Sequence, residues 1–274
     1  MSVGSTLRTV LAHPMVIGGL EAGPGWPITP GDVTTREAAR MAIQALIFDV
    51  FGTLLDWHGG VAREAARILA PFRPDLDGGA FARAWRDRYQ PGMEPIRQGA
   101  RPYTDLDTLH GESLEGVLAG FGLAEAVPAE ARRDLVLAWH RLDAWPEVPD
   151  ALTRLREKYL LAPCSNAHVR LAIAHARRNR LPWDAVLGAE FAQDYKPKPA
   201  VYLRAVEALR LRPDEVMMVA AHSSDLAAAT ACGLATAHIA RPDESGPGTG
   251  EPAPLVPVDY AASDLADLAR QLGC

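Results

Sequence analysis

Residues 47–56 read IFDVFGTLLD, an apolar run closed by one aspartate, Asp49, and followed by Phe51, Gly52 and more apolar residues. A mainly apolar run, AIQALIFDV over 42–50, predicts a buried strand, as in a parallel sheet. Asp49 then sits where such a strand meets a polar edge. Gly52 lets the chain turn there without steric cost. A carboxylate held near the N–H groups of a tight turn stays ionised and aimed, so Asp49 is the candidate nucleophile. The bland alternative is a turn-capping aspartate.

Three further apolar runs have the same character: LLAPCSN (160–166), VMMVAAH (216–222) and LATAHIA (234–240), with WDAVLGAEF (183–191) supplying a short strand between them. Helical patterns separate them at 149–159, 169–179, 199–210 and 224–233, the last stopped by Gly233. Alternation of this kind predicts an α/β fold with a parallel, doubly wound sheet. It is interrupted over 58–147, which reads as helical throughout and includes GAFARAWRDRYQPGMEPI as one element. Thr104 and Asp107 are predicted to form a capping box, and Leu106, Leu109, Leu114, Val117, Leu118 and Phe121 one buried face. A helical block inserted after the first strand is expected to cap the carboxyl edge of the sheet, where open α/β sheets bind ligands. The expected division is therefore a core of 41–57 and 148–274 and a cap of 58–147. Residues 18–31 hold eight Gly or Pro in fourteen positions, and 1–40 reads as an extension outside the fold.

Bulk properties narrow the function classes. The 274 residues carry a net charge of -6, which offers no footprint for nucleic acid or anionic membrane yet does not exclude a small anionic substrate. No apolar run approaches the roughly 18 residues of a membrane span. Cys164, Cys232 and Cys274 match neither a disulfide framework nor a zinc pattern, so a reducing cytoplasm is expected. His168 and His175 are seven residues apart, too far along a helix for one ordinary site, and no metal is assigned.

With parallel strands, the carboxyl ends bring together Asp49, Ser165, Asn166, Lys196 and Asp225. Ser165 and Asn166 are small donors suited to a carboxylate or a developing anion. Lys196 lies in DYKPKPAVY, where two prolines stiffen the loop, and Asp225 follows the VMMVAA strand, where it can position water. His222 is placed to donate or carry a proton near neutral pH. Each has a structural alternative: a helix start for Ser165–Asn166, a solvated lysine, an N-cap for Asp225, a hydrogen-bonded core histidine. Trp85, Tyr89, Trp139 and Trp145 read as packing of the cap and its hinge.

Together IFDVFGTLLD, PCSNAHV, YKPKPAVY and VAAHSSDLAAATACGLATAHIARP resemble the haloacid dehalogenase superfamily, in particular its type II (S)-2-haloacid dehalogenases, over roughly residues 42–272. The resemblance implies a Rossmann-like core with a helical cap inserted after the first strand. Superfamily phosphatases carry D-x-D at the first motif and an acidic pair at the fourth that holds magnesium. Here Phe51 replaces the second acid, and HSSD has a single acid. A halide leaves as a weak base and needs neither a proton nor Mg²⁺, so the substitution favours displacement at carbon.

The resemblance implies that Asp49 attacks C2 of a 2-haloacid with inversion, that Ser165 and Lys196 hold the substrate carboxylate, and that Asn166 and a cap arginine accept the halide. Arg86 in AWRDRYQ matches that arginine, with Arg83, Arg88 and Arg97 as neighbours of plainer role. Asp225 would help water hydrolyse the aspartyl ester, Tyr202 would support the lysine region, and Phe51 would line the pocket. No cofactor and a homodimer are implied as well. The chain departs from the family at Ala220, His222 and Ser224, where Ser, Asn and Trp are familiar, and at Asp87, where an amide is familiar. A phosphatase of the same superfamily and a carboxylate-binding relic without activity are the competing readings.

Overall fold

The computed structural model describes residues 43–274; the stretch 1–40 lies outside the described residues. Strand β1 (Ala45–Phe48) is followed by a short β2 (Leu55–Asp56), and the second half of the chain supplies β4 (Leu160–Ser165), β5 (Leu187–Gly188), β6 (Val216–Ala220), β7 (Ala235–Ile239) and β8 (Tyr260–Ala262). Among the described residues six strands form one parallel sheet in the order β5-β4-β1-β6-β7-β8. From β1 the chain builds outward to β4 and β5 on one side, then crosses back to β6, β7 and β8 on the other. The order reverses beside β1, which puts the ligand crevice of a doubly wound sheet beyond its carboxyl end.

Why β1 must be apolar at every position is visible in the packing. Leu46 and Phe48 face one core with Leu161, Met217 and Val219, whereas Ala45 and Ile47 face a second with Ala162, Val216 and Met218. Successive side chains point to opposite faces, so a strand covered on both has no polar side. At the edge Phe48 packs on Trp183, ring centroids 5.5 Å apart.

Between β2 and β3 (Asp143–Ala144) lie the helices α1 (Trp57–Leu69), α2 (Gly78–Arg86), α3 (Tyr89–Arg97), α4 (Leu106–Gly120) and α5 (Ala129–Val136), then a 3-10 turn over Leu137–Arg141. The stretch read as helical throughout is therefore closed by an antiparallel pair, Leu55 opposite Ala144 and Asp56 opposite Asp143, which brings the entry and exit of the insertion side by side. Two residues per strand are too few to register as a periodic pattern. GAFARAWRDRYQPGMEPI is two helices, broken at Asp87 and Arg88. The capping box is also corrected: Asp105 caps α4, its carboxylate accepting from Thr108 N–H at 3.0 Å, while Thr104 Oγ1 bonds Arg101 and the Pro102 carbonyl. The apolar face of α4 is buried as expected from Leu106 to Leu118.

Asp107, freed from capping, accepts from His140 Nε2 at 2.8 Å and lies 3.5 Å from His168 Nε2, just before α7 (Val169–Asn179; α6 is Val148–Arg156). One carboxylate thus ties an inserted helix to the 3-10 turn and to the end of the β4 loop. The ligand atoms of these three residues lie within 4.8 Å of one another, a grouping that the spacing of His168 and His175 did not suggest. Burial raises the pKa of Asp107, but the two imidazoles outweigh it and hold the group below the usual carboxylate range. Asp107→Asn is expected to cost roughly 1–2 kcal/mol by stranding the histidine donors. Thermal unfolding checks this, and an unchanged Tm would remove the clamp from the account.

Candidate active site

The site assembles at the carboxyl ends of β1, β4 and β6, under residues of α2 and α3. Asp49 follows β1 directly, its backbone N–H bonded to the Val219 carbonyl at 2.9 Å, so the sheet itself sets its position. The chain then turns at Gly52, whose φ of +85° is a left-handed conformation glycine adopts freely. Thr53 closes the turn by donating from Oγ1 to Asp49 Oδ2 at 2.7 Å while accepting from Ala221 N–H at 2.9 Å. That hydroxyl joins the first and fourth motifs, and sequence reasoning missed it: a threonine in a turn carries no signal of its own.

Lys196 reaches in from the loop ahead of α9 (Pro199–Ala208; α8 is Ala189–Ala192), across a cis peptide bond to Pro197. Its ammonium stands 2.6 Å from Asp225 Oδ2 and 3.3 Å from Asp49 Oδ1. Lys196 and both carboxylates are buried. Asp225 lies in the first turn of α10 (Ser223–Ala231), not at its N-cap, which is His222. Its Oδ1 accepts a hydrogen bond from the Tyr202 hydroxyl, so Tyr202 supports the acid.

Burial would raise the pKa of Asp49, but Lys196, His222 and the Thr53 hydroxyl overcome it and keep the group ionised far below the usual range. Burial and the nearby Asp49 charge push Asp225 upward, against the pull of Lys196. Burial alone would discharge Lys196; Asp225 and Asp49 raise its pKa instead. Two carboxylates in one pocket are thus driven apart, one a firm anion and the other the more basic partner, the arrangement expected for divided roles.

Asn166 accepts from Lys196 N–H at 2.9 Å through its side-chain carbonyl, and it lines the cavity beside Tyr89. Ser165 is buried beneath; its Oγ accepts from Ala167 N–H at 3.1 Å, and it is not among the cavity-lining residues. Arg86, the last residue of α2, lays its guanidinium 4.0 Å from the Tyr89 ring centroid, 5.0 Å from Trp57 and 5.8 Å from Phe51. Among the described residues its Nη1 is buried without a hydrogen-bond partner. Of the neighbouring arginines, Arg83 is engaged with His58 and Arg97 with Glu94 and Gln90. Phe51 is itself held edge-on by Tyr89, Trp139 and His175. Of the aromatics read as packing, Tyr89 also reaches the site, where it lines the cavity with Phe51, Arg86, Gln90 and Asn166. This cavity of about 340 Å³ extends to Lys196, Tyr202, His222, Ser224 and Asp225.

His222 completes the ring of charges. Its Nδ1 is 3.3 Å from Asp49 Oδ2 and its Nε2 is 2.9 Å from Glu244, a residue nothing in the sequence had marked. Burial would lower the pKa of His222; Asp49 and Glu244 together push it up to about 10.

A family model described as haloacid dehalogenase-like hydrolase matches residues 43–233. The chain belongs to that family. It is 30% identical to (S)-2-haloacid dehalogenase 4A of Burkholderia cepacia over 217 residues, covering 78% of this chain and 89% of the relative. The crystal structure of a defluorinating L-2-haloacid dehalogenase superposes with a TM-score of 0.81 at 42% identity, over 85% of this chain and 96% of the other. A dehalogenase crystallised as an intermediate complex gives a TM-score of 0.71 at 26% identity, over 85% and 98%.

Because its pKa is raised in the fold, the charge on His222 stabilises fully below its unfolded value near 6.5 and is lost as pH climbs towards 10. Wild-type stability should therefore decline over that window, and the decline should flatten in His222→Asn. Denaturant unfolding at pH 6.5, 8 and 9.5 checks it; parallel slopes for the two proteins would contradict the assignment.

Proposed function

We propose that the protein is a hydrolase of carbon–halogen bonds, an (S)-2-haloacid dehalogenase that turns short 2-haloalkanoic acids into 2-hydroxy acids through an aspartyl ester. One observation carries this reading. Across a small cavity an ionised carboxylate, Asp49, shares the space with the guanidinium of Arg86, which has an unpaired buried donor and is walled by aromatic rings. Phe51 stands at the position where a phosphatase of this superfamily needs an acid, and a ring cannot protonate a leaving oxygen. The relatives named above support the substrate class.

In this mechanism the attacking atom is Oδ1 of Asp49. Oδ2 is engaged by Thr53 and His222, whereas among the described residues Oδ1 has only Lys196, at 3.3 Å. Lys196 receives the substrate carboxylate. Oδ1 displaces the halide from C2 with inversion; the C–X electron pair leaves with the halide, which Arg86 and the Asn166 amide accept. An aromatic cage weakens the hydration of both guanidinium and halide, so their attraction is stronger than in water. Water then adds to Cγ of Asp49. Asp225 takes its proton and returns it to the departing 2-hydroxy oxygen, and Tyr202 keeps that acid aligned. Lys196 supplies the positive charge between Asp49 and Asp225, which a phosphatase would obtain from magnesium.

Asp49→Asn should reduce halide release from (S)-2-chloropropionate below about a thousandth of wild type, because an amide is a poor nucleophile. A magnesium chelator should leave wild-type release unchanged. Absence of halide release by wild type from chloro- and bromoacetate and both 2-chloropropionate enantiomers, with chelator-sensitive phosphate release from a general phosphoester, would establish the phosphatase reading instead.

A further inference from the structure

Glu244 sits in the loop after β7, two residues past the end of the fourth motif at Pro242, and it touches the nucleophile's own surroundings. Its Oε2 accepts from His222 Nε2 at 2.9 Å and its Oε1 from Trp57 Nε1 at 2.7 Å. It is buried, and it lies so close to the nucleophile turn that a Cβ at position 52 would come within 2.1 Å of its Oε1. Gly52 therefore has two duties, a left-handed φ and room for this carboxylate. With one ring nitrogen committed to Glu244, His222 presents Nδ1 to Asp49 Oδ2 at 3.3 Å.

We infer that Glu244 is a positioning residue for ester hydrolysis: it holds His222 as a donor that, with the Thr53 hydroxyl, forms the oxyanion site for the second half of the reaction. The inference rests on the proposed dehalogenase reading and on Oδ1 as the alkylated atom. Once Oδ1 carries the substrate carbon, Oδ2 is the ester carbonyl oxygen. Water forms its bond to Cγ, the Cγ–Oδ2 π pair moves onto Oδ2, and Thr53 Oγ1–H and His222 Nδ1–H receive the charge. Asp225 holds the water proton. On collapse the C=O bond reforms, the Cγ–Oδ1 bond breaks, and that proton passes to the leaving oxygen. Donors aimed at the developing charge contribute most where they are already oriented, and Glu244 does the orienting.

The geometry also says why a neutral histidine would not serve. Nδ1 must carry a proton to donate to Oδ2, and Nε2 must carry one to donate to Glu244, so the ring acts as an imidazolium. The charged groups around it are Asp49 and Glu244 in contact, Lys196 beyond Asp49, Arg86 acting on Glu244, Glu251 at the Ser223 N–H, and His238 beside Glu251. Esterification removes the charge of Asp49. Glu244 is then the carboxylate left in contact with the ring, and it decides whether the ring keeps its proton.

Rapid-quench turnover of (S)-2-chloropropionate by the full chain separates the two steps. In Glu244→Gln the first-turnover halide burst should stay within about threefold of wild type, while ester hydrolysis slows by about tenfold or more and intact-mass measurement finds the alkylated enzyme accumulating. The alkaline limb of the hydrolysis rate should move to lower pH. Equal hydrolysis rates, or equal losses in both steps, would overturn the inference. Histidine ¹⁵N NMR of the wild type tests it without turnover and without a variant: His222 must remain doubly protonated at pH 8, and a neutral ring there overturns it. Failure of the wild type to release halide would count against the dehalogenase reading itself, and the NMR result would still stand.

Discussion

The contact on which the site depends is the Lys196 ammonium between Asp49 and Asp225. Two carboxylates from neighbouring strand ends, both buried, would repel each other and force one to take up a proton. A cation 2.6 Å from one and 3.3 Å from the other changes that balance. It holds Asp49 as an anion and leaves Asp225 the more basic of the two. The lysine owes its place to a third segment, the loop between β5 and α9, where Asn166 anchors its backbone N–H. Strand order, loop anchoring and carboxylate chemistry are therefore one arrangement seen at three scales.

A second constraint comes from the inserted helices. They bring Arg86 and Tyr89 over the carboxyl edge, and they bring Trp57 and Trp139 beneath them as an aromatic floor. A guanidinium among rings keeps its charge but loses water, which suits a weakly hydrated leaving anion better than a phosphate. Phe51 belongs to that wall as well as to the nucleophile turn, so the residue that departs from D-x-D also builds the surface it faces. The departure at His222 has a comparable partner: an amide at that position would need no counter-charge, whereas an imidazolium is matched by Glu244.

Much of the core was legible in the chain because its signals are local. Buried strands read as unbroken apolar runs, and Gly233 and the prolines of the lysine loop mark where elements stop and start. The residues brought together at the cavity, Asp49, Phe51, Arg86, Asn166, Lys196, Tyr202, His222 and Asp225, stand on or beside those runs or on a patterned helix. Ser165 was picked out by the same logic and lies beneath the cavity, because a strand-end position does not say which way a side chain turns. The β2–β3 pair, the break at Asp87–Arg88 and the Asp105 cap were missed for a similar reason. Each turns on one or two hydrogen bonds, and propensity over a window averages these away.

By itself the sequence determined the fold class and the order of the motifs, and its Asp-Val-Phe-Gly turn offered Asp49 as the candidate nucleophile. Only the tertiary structure decided which groups stand at each oxygen of Asp49, which arginine lines the cavity, and that Thr53 and Glu244 lie beside Asp49 and His222. Those are contacts between residues separated by up to about two hundred positions, such as Thr53 with Ala221 and Trp57 with Glu244. Pairing at that distance leaves no trace in a local pattern; it exists only once the sheet order has brought the strand ends together.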